Sequence, residues 1–199
     1  MRADALQNRQ RVLDAANTMF REHGIEVTVG EIADAAGVGR GTLFRNFPTK
    51  DHLIAAVLSE RILDAVRVGR TLLQSEGNDA EKIFSAVAEL VREQNANRAL
   101  FEGVSSGEFL AYPEMHAAHD EFMKLLEEFV ALGQRAGSVR PEITAMDVIM
   151  LMKGICTAPG IQASDDPDVI LRHTDLICAA ISTPAYSRPL RGTPPTLPV

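Results

Sequence analysis

The chain has 199 residues, 46% of them hydrophobic, and a formal net charge of −7 at neutral pH. That length allows one or two small domains with a proper core. No apolar run reaches the ~18–20 residues of a membrane span, and the N-terminal Met-Arg-Ala-Asp-Ala-Leu-Gln-Asn-Arg-Gln lacks the apolar centre of a signal peptide, so a cytoplasmic protein without a membrane partner is expected.

The first helix is expected from about Ala5 to His23, with Gly24 as its stop. Thr28 followed three residues later by Glu31 is a capping-box pattern. Ile32, Ala33 and Ala36 give the short helix behind it an apolar face. Gly37 ends that helix, because glycine takes the left-handed conformation cheaply, and Val38 is the apolar residue of the turn. Another short helix runs from about Gly39 to Phe47, with Leu43 and Phe47 four apart and inward, and Pro48 ends it. Its outward residues are Arg40, Gly41, Thr42, Arg45 and Asn46.

Two short helices joined by a glycine turn, the second headed by small residues and an arginine, suit a DNA major groove. Gly41 permits close approach of backbone to the duplex. Arg40 can donate twice to a guanine edge, and Thr42 can touch a thymine methyl or a polar base atom. Arg45, Asn46 and Lys50 can hold phosphates, which positions a helix without reading sequence. Lys50 also opens the next helix, whose N–H groups favour a phosphate. Two other readings stay open on these residues alone. One is an ordinary helical hairpin with solvated arginines; the other is a nucleotide loop at Gly37–Thr42, which lacks both the Gly-Lys-Ser/Thr ending and a preceding strand.

From about Arg9 to Val57 the chain resembles a TetR-family transcriptional regulator. The resemblance rests on Val12, Leu13, Ala16, Phe20, Gly24, Thr28, Ile32, Ala33, Ala36, Gly37 and Val38. It continues through Gly41-Thr42-Leu43-Phe44, Phe47-Pro48, Lys50 and Leu53. It implies phosphate contacts at Thr28, Arg45, Asn46 and Lys50, and base contacts around Arg40 to Thr42. Phe44 departs from the family's usual tyrosine, whose hydroxyl binds phosphate; a phenylalanine can only pack against sugar or a methyl group. Gly30 is a second departure, since some members read a base from that position and a glycine has no side chain to do so.

The charge is divided along the chain. Residues 1–50 carry seven Lys/Arg and six Asp/Glu, residues 51–199 carry 13 and 21, so the acidity lies outside the reading head. Exposed charges beyond ~8–10 Å are screened at ordinary salt, and an acidic body disfavours non-specific DNA binding.

The rest reads as helix. Helices are expected over about residues 50–75, 79–97, 101–110, 114–136, 144–157 and 168–182, with Gly77-Asn78-Asp79 and Arg140-Pro141-Glu142 as connectors. Residues 183–199 hold five of the ten prolines, and a disordered tail is expected over 184–199. The expected fold is all-α, of about nine helices. A three-helix DNA-binding head spans 1–49, its module extending into the fourth helix to about 66, and a ligand-binding and dimerisation body spans 50–183.

The last two helices are rich in apolar residues, with Val148 to Met152 apolar nearly all round. They are expected to pair two copies through Ile149, Ile170, Ile177 and Ile181, a homodimer that the family resemblance also implies; closing the monomer's own core is the other reading. Phe101, Phe109, Phe122, Met123 and Met150 are candidate pocket walls for a small-molecule effector. His116 and His119, three apart, can share a face beside them as solvated histidines, pocket anchors or metal ligands. Cys156 and Cys178 read as thiols in apolar helices rather than a redox pair. No nucleophile elbow, zinc-protease motif or dinucleotide fingerprint is present, so no enzyme, metal or cofactor is expected. The expected function is a ligand-responsive repressor that binds a palindromic operator as a homodimer. The alternative is a helical small-molecule-binding protein or enzyme with a vestigial helix-turn-helix.

Overall fold

The computed structural model describes residues 2–97, 108–156 and 167–192. Among them are eight α-helices and no strand: α1 (Arg2–His23), α2 (Val29–Ala36), α3 (Arg40–Asn46), α4 (Lys50–Gln74), α5 (Asp79–Ala96), α6 (Pro113–Arg135), α7 (Ala145–Cys156) and α8 (Pro167–Ile181). Of the helix expected over about 101–110, only a single 3-10 turn, Glu108–Ala111, lies within the described residues.

The chain forms two compact units. One takes the described residues of Met1–Asp64 and Asn97–Glu121, the other those of Ala65–Ala96 and Phe122–Val199. In the first, α1 packs on α2 and α3. The core joins Val12, Leu13, Ala16 and Phe20 of α1 to Ile32, Ala33 and Ala36 of α2, to Leu43 and Phe47, and to Leu53, Ile54, Val57 and Leu58 of α4. Each set recurs at three- or four-residue spacing, one face per helix. Burying each large side chain contributes roughly 1.5–3 kcal/mol, so a two-turn helix such as α2 is held by packing rather than by its own propensity.

Local chemistry sets the ends. Thr28 and Glu31 form the expected capping box, the Glu31 N–H donating to Thr28 Oγ1 and the Thr28 N–H donating to Glu31 Oε2. Gly37 closes α2 at φ 62°, and Arg11 Nη2 donates to its carbonyl at 3.2 Å. Thr49 accepts the His52 N–H and so caps α4 at Lys50.

The second unit is built on Ile83, Val87 and Val91 of α5, Leu126, Phe129 and Val130 of α6, Val148 and Met152 of α7, and Ile177 and Ile181 of α8. Gly133 lets α6 come close: a β-carbon there would lie 2.6 Å from Val139 Cγ2 and 3.1 Å from Ile83 Cγ2. The connector at Arg140–Pro141 is pinned by Gln134, whose Nε2 donates to the Ile143 and Pro141 carbonyls at 2.9 and 3.1 Å.

Two expectations are corrected here. Ile177 and Ile181 are fully buried within their own unit; they close its core and leave no surface for a second copy. Ile149 and Ile170 are half-buried and pack against the same core. The outward apolar side chains of α7 and α8 are instead Met146, Met150, Leu171 and Leu176. The segment 184–192 is also not loose. Thr183 N donates to the Ser138 carbonyl, Tyr186 packs on the core, and the chain then runs back along α8. Arg188 pairs with Glu81, Arg191 pairs with Asp175 at 2.7 Å, and Arg172 donates to the Gly192 carbonyl. Specific arginine–carboxylate pairs outweigh what proline content alone implies.

Candidate nucleic-acid interface

The outward face of α3 carries the residues expected to meet DNA. Arg40 and Gly41 open the helix, with Gly39 as its N-cap. A β-carbon built on Gly39 or Gly41 would meet nothing within 4 Å, so neither glycine is required by packing inside the unit. Gly41 therefore leaves a flat spot facing outward. Phe44 is 47% exposed, a large aromatic ring left in solvent beside basic residues.

The polar side chains of α3 fold onto their own helix. Arg45 Nε donates to the Gly41 carbonyl at 3.2 Å and Nη2 donates to Thr42 Oγ1 at 3.0 Å. Asn46 Nδ2 donates to the Thr42 carbonyl at 2.8 Å. These are exposed or part-buried bonds worth about 1 kcal/mol each, weak enough to exchange for a charged phosphate acceptor. Leu43 and Phe47 are buried on the opposite face, and the Arg9 guanidinium lies 5.0 Å over the Phe47 ring while its Nη2 pairs with Glu114 at 3.4 Å.

Thr28 and Lys50 flank the helix-turn-helix. The Thr28 hydroxyl donates to Glu31 Oε2 at 2.7 Å. That bond, with the Thr28 N–H, holds the Glu31 carboxyl below the usual carboxylate range. A phosphate at Thr28 must therefore share the site with an ionised Glu31. Lys50 stands half-buried in the first turn of α4, after the Thr49 cap.

One feature was missed from sequence. The Arg40 guanidinium lies across Gly30 of α2, where an added β-carbon would sit 2.5 Å from Nη2. Only the pairing of α2 with α3 in space exposes it.

The candidate effector residues are scattered. Phe101 lies outside the described residues. Phe109 packs on the first unit's core and stacks on Tyr112, which meets His52 edge-on at 4.8 Å. His116 is exposed and its Nδ1 lies 3.2 Å from Asp120 Oδ2, while His119 is half-buried. Phe122 and Met123 pack on the second unit's core, and Met150 is 63% exposed. A cleft of about 180 Å³ in the second unit is lined by none of these; Phe84, Cys178, Tyr186, Arg188 and Arg191 are among its walls. Burial pushes the Cys178 thiol up to about 11, the opposite of an activated thiolate. Among the described residues no group of three or more His, Cys, Asp or Glu could hold a metal ion, and no helix is long and apolar enough to cross a membrane.

Three helices of this packing, with a basic outward face on the third, form a helix-turn-helix suited to a DNA groove. Residues 12–57 match the family model for bacterial regulatory proteins of the tetR family. Residues 79–181 match that for the SbtR-like transcriptional regulator C-terminal domain. The chain is similar to a TetR transcription regulatory protein from Mycobacterium vanbaalenii, at 31% identity and a TM-score of 0.63, over 92% of this chain and 99% of that one. A fold likeness extends to RolR, solved with the ligand resorcinol, at 22% identity and a TM-score of 0.62 over 96% and 98%. An HTH-type transcriptional regulator of Staphylococcus aureus is 29% identical over 108 residues, 54% of this chain and 58% of that protein. The chain thus spans just over half the length of that curated relative. It belongs to the TetR family of DNA-binding transcriptional regulators, a family of regulators and not of enzymes.

Proposed function

We propose that this regulator is a ligand-responsive repressor acting in the cytoplasm, with residues 1–49 as the reading head and 50–183 as the effector and dimerisation body. It binds a roughly palindromic operator as a homodimer, with α3 of each copy in the major groove. The carrying observation is the outward face of α3: exposed Arg40, Phe44 and Arg45 around an unobstructed Gly41. Arg40 reads a base edge, and Thr42 touches a neighbouring base. Thr28, Arg45, Asn46 and Lys50 hold phosphates. Phe44 packs on the sugar–phosphate wall without the hydrogen bond a tyrosine would add.

A small molecule bound in the body favours a head separation that the operator does not, so ligand and DNA are coupled reciprocally. RolR, solved with resorcinol, supports an effector for a body of this fold, and Phe122 and Met123 are the candidates beside the second unit's core.

Binding to duplex fragments, measured against salt, tests this reading. Lys50→Ala should weaken binding to all sequences alike and flatten the salt slope by about one unit. Arg40→Ala should cost ~1–3 kcal/mol and relax preference at one base pair per half-site. Equal affinity of parent and Arg40→Ala across operator variants would remove the base-reading role.

A further inference from the structure

We propose that Gly30 is a positioning residue for Arg40 and so helps decide which base pair the head reads; this rests on the base-reading role given above to Arg40. Gly30 lies in the first turn of α2. Glycine is a poor helix former beside alanine, so its presence there needs a reason. Backbone conformation is not the reason, because Gly30 is absent from the positive-φ glycines of this chain. Space is. A β-carbon at this position would lie 2.5, 3.0 and 3.2 Å from Nη2, Cζ and Nε of Arg40. The Nη2, Cζ and Nε atoms of Arg40 therefore occupy the space that a side chain at position 30 would need.

That contact is the wall that orients the side chain. On its own helix Arg40 is followed by Gly41 and preceded by Gly39, and a β-carbon on either would meet no atom within 4 Å. With glycines on both sides along the chain, α2 supplies the surface against which a long and otherwise rotatable arginine lies. A methyl group at position 30 cannot share that space, so the guanidinium, the mobile end of a flexible and exposed side chain, must take a new position. Bidentate recognition of a guanine edge depends on the plane and position of that fork, so moving it is expected to change the base preference as well as the affinity. A position with no side chain thus acts on specificity through its neighbour.

The test is a double-mutant cycle in the full chain: parent, Gly30→Ala, Arg40→Ala and both together. Each is selected on a duplex library with randomised half-sites and then titrated against salt on the parent's preferred site. Gly30→Ala should fold at least as well as the parent, since alanine is the better helix former, which keeps the comparison clean. We expect it to lose roughly tenfold in affinity and to alter preference at the same base pair that Arg40→Ala relaxes, with an unchanged salt slope. In the Arg40→Ala background the same substitution should change affinity less than about twofold. Three results would overturn the inference: a parent-like preference in Gly30→Ala, an equal effect in both backgrounds, or a changed salt slope, which would mean that the substitution acts by altering cation–phosphate contacts rather than base reading. Should Arg40→Ala itself keep the parent's preference, the base-reading role falls and the inference with it. If Arg40→Ala relaxes a base pair and Gly30→Ala does not, only the inference falls.

Discussion

Phe44 shows how one atom separates folding from binding. Its ring is partly exposed and sits on the outward face of α3, while Leu43 beside it is buried. Adding a hydroxyl there should cost the fold nothing. Phe44→Tyr is expected to gain one hydrogen bond to phosphate, worth ~1 kcal/mol or somewhat more because the acceptor is charged. Affinity should rise about fivefold with an unchanged thermal midpoint and unchanged base preference. A lower midpoint would place the ring inside the unit. His173 makes the opposite kind of case. It is buried in α8, and burial holds its pKa below the ordinary histidine value. The unfolded chain therefore takes up a proton first as pH falls. The contribution of His173 to stability should be flat above about pH 7 and decline as pH drops below ~6.5 toward the lowered folded value. Urea midpoints of parent and His173→Gln between pH 8 and 5 measure this. Parallel curves would show that His173 contributes nothing to the decline.

Among the elements, the helix-turn-helix was legible and the C-terminal segment was not, for a physical reason. The Thr28–Glu31 box, the Gly37 stop and the Leu43/Phe47 face are local patterns within about ten residues, and the capping box, the positive φ and the buried face are all present. The segment after Thr183 is held by partners far away in sequence. Glu81 is 107 residues from Arg188, and Asp175 faces Arg191 only because the chain doubles back along α8. No local pattern encodes that return. The face of α8 was hidden for a different reason: its buried side includes His173 and Thr174, while Leu171 and Leu176 point outward, so hydrophobicity does not mark the inward side. The Asp175 side chain is only 11% exposed and accepts from both the Arg191 guanidinium and the Arg191 backbone N–H. That pairing holds its carboxyl below the usual range. Asp175→Asn is expected to free the segment, speeding tryptic cleavage after Arg191 and exposing Cys178 to alkylation. Charge exchange, Asp175→Arg with Arg191→Asp, removes that tryptic site, so it is read by Cys178 alkylation, which should slow again toward the parent's rate. Parent-like cleavage in Asp175→Asn would mean that Tyr186, the Thr183 turn, the Arg188–Glu81 pair and the Arg172–Gly192 bond hold the segment without Asp175.

For the whole molecule, the question is how a chain of net charge −7 reads DNA specifically. Two copies would supply two reading heads, and the chain's net acidity lies outside the heads' sequence. Heads on one duplex face would stand ~34–36 Å apart, one DNA turn. The second unit offers the apolar surface for such pairing. Met146 and Met150 follow one line on α7, Leu171 and Leu176 are outward on α8, and Leu190 of the C-terminal segment is also exposed. A stable pairing of two copies should bury well over ~1,000 Å², and in the proposed homodimer these side chains would lie at its centre. Because Met150 and Leu176 are partly or largely exposed, a charge there spares the monomer's core. Met150→Asp with Leu176→Asp is therefore expected to give monomers with parent-like helix content, binding operator DNA at least tenfold more weakly. Ile177→Asp is expected to behave differently: it puts an unpaired charge into the core, a change costing several kcal/mol, and should unfold the second unit instead of separating intact copies. Sedimentation equilibrium and circular dichroism on the three proteins distinguish the outcomes. A parent that is monomeric at micromolar concentration would refute the pairing. A double variant that stays dimeric would move the interface off α7 and α8 altogether.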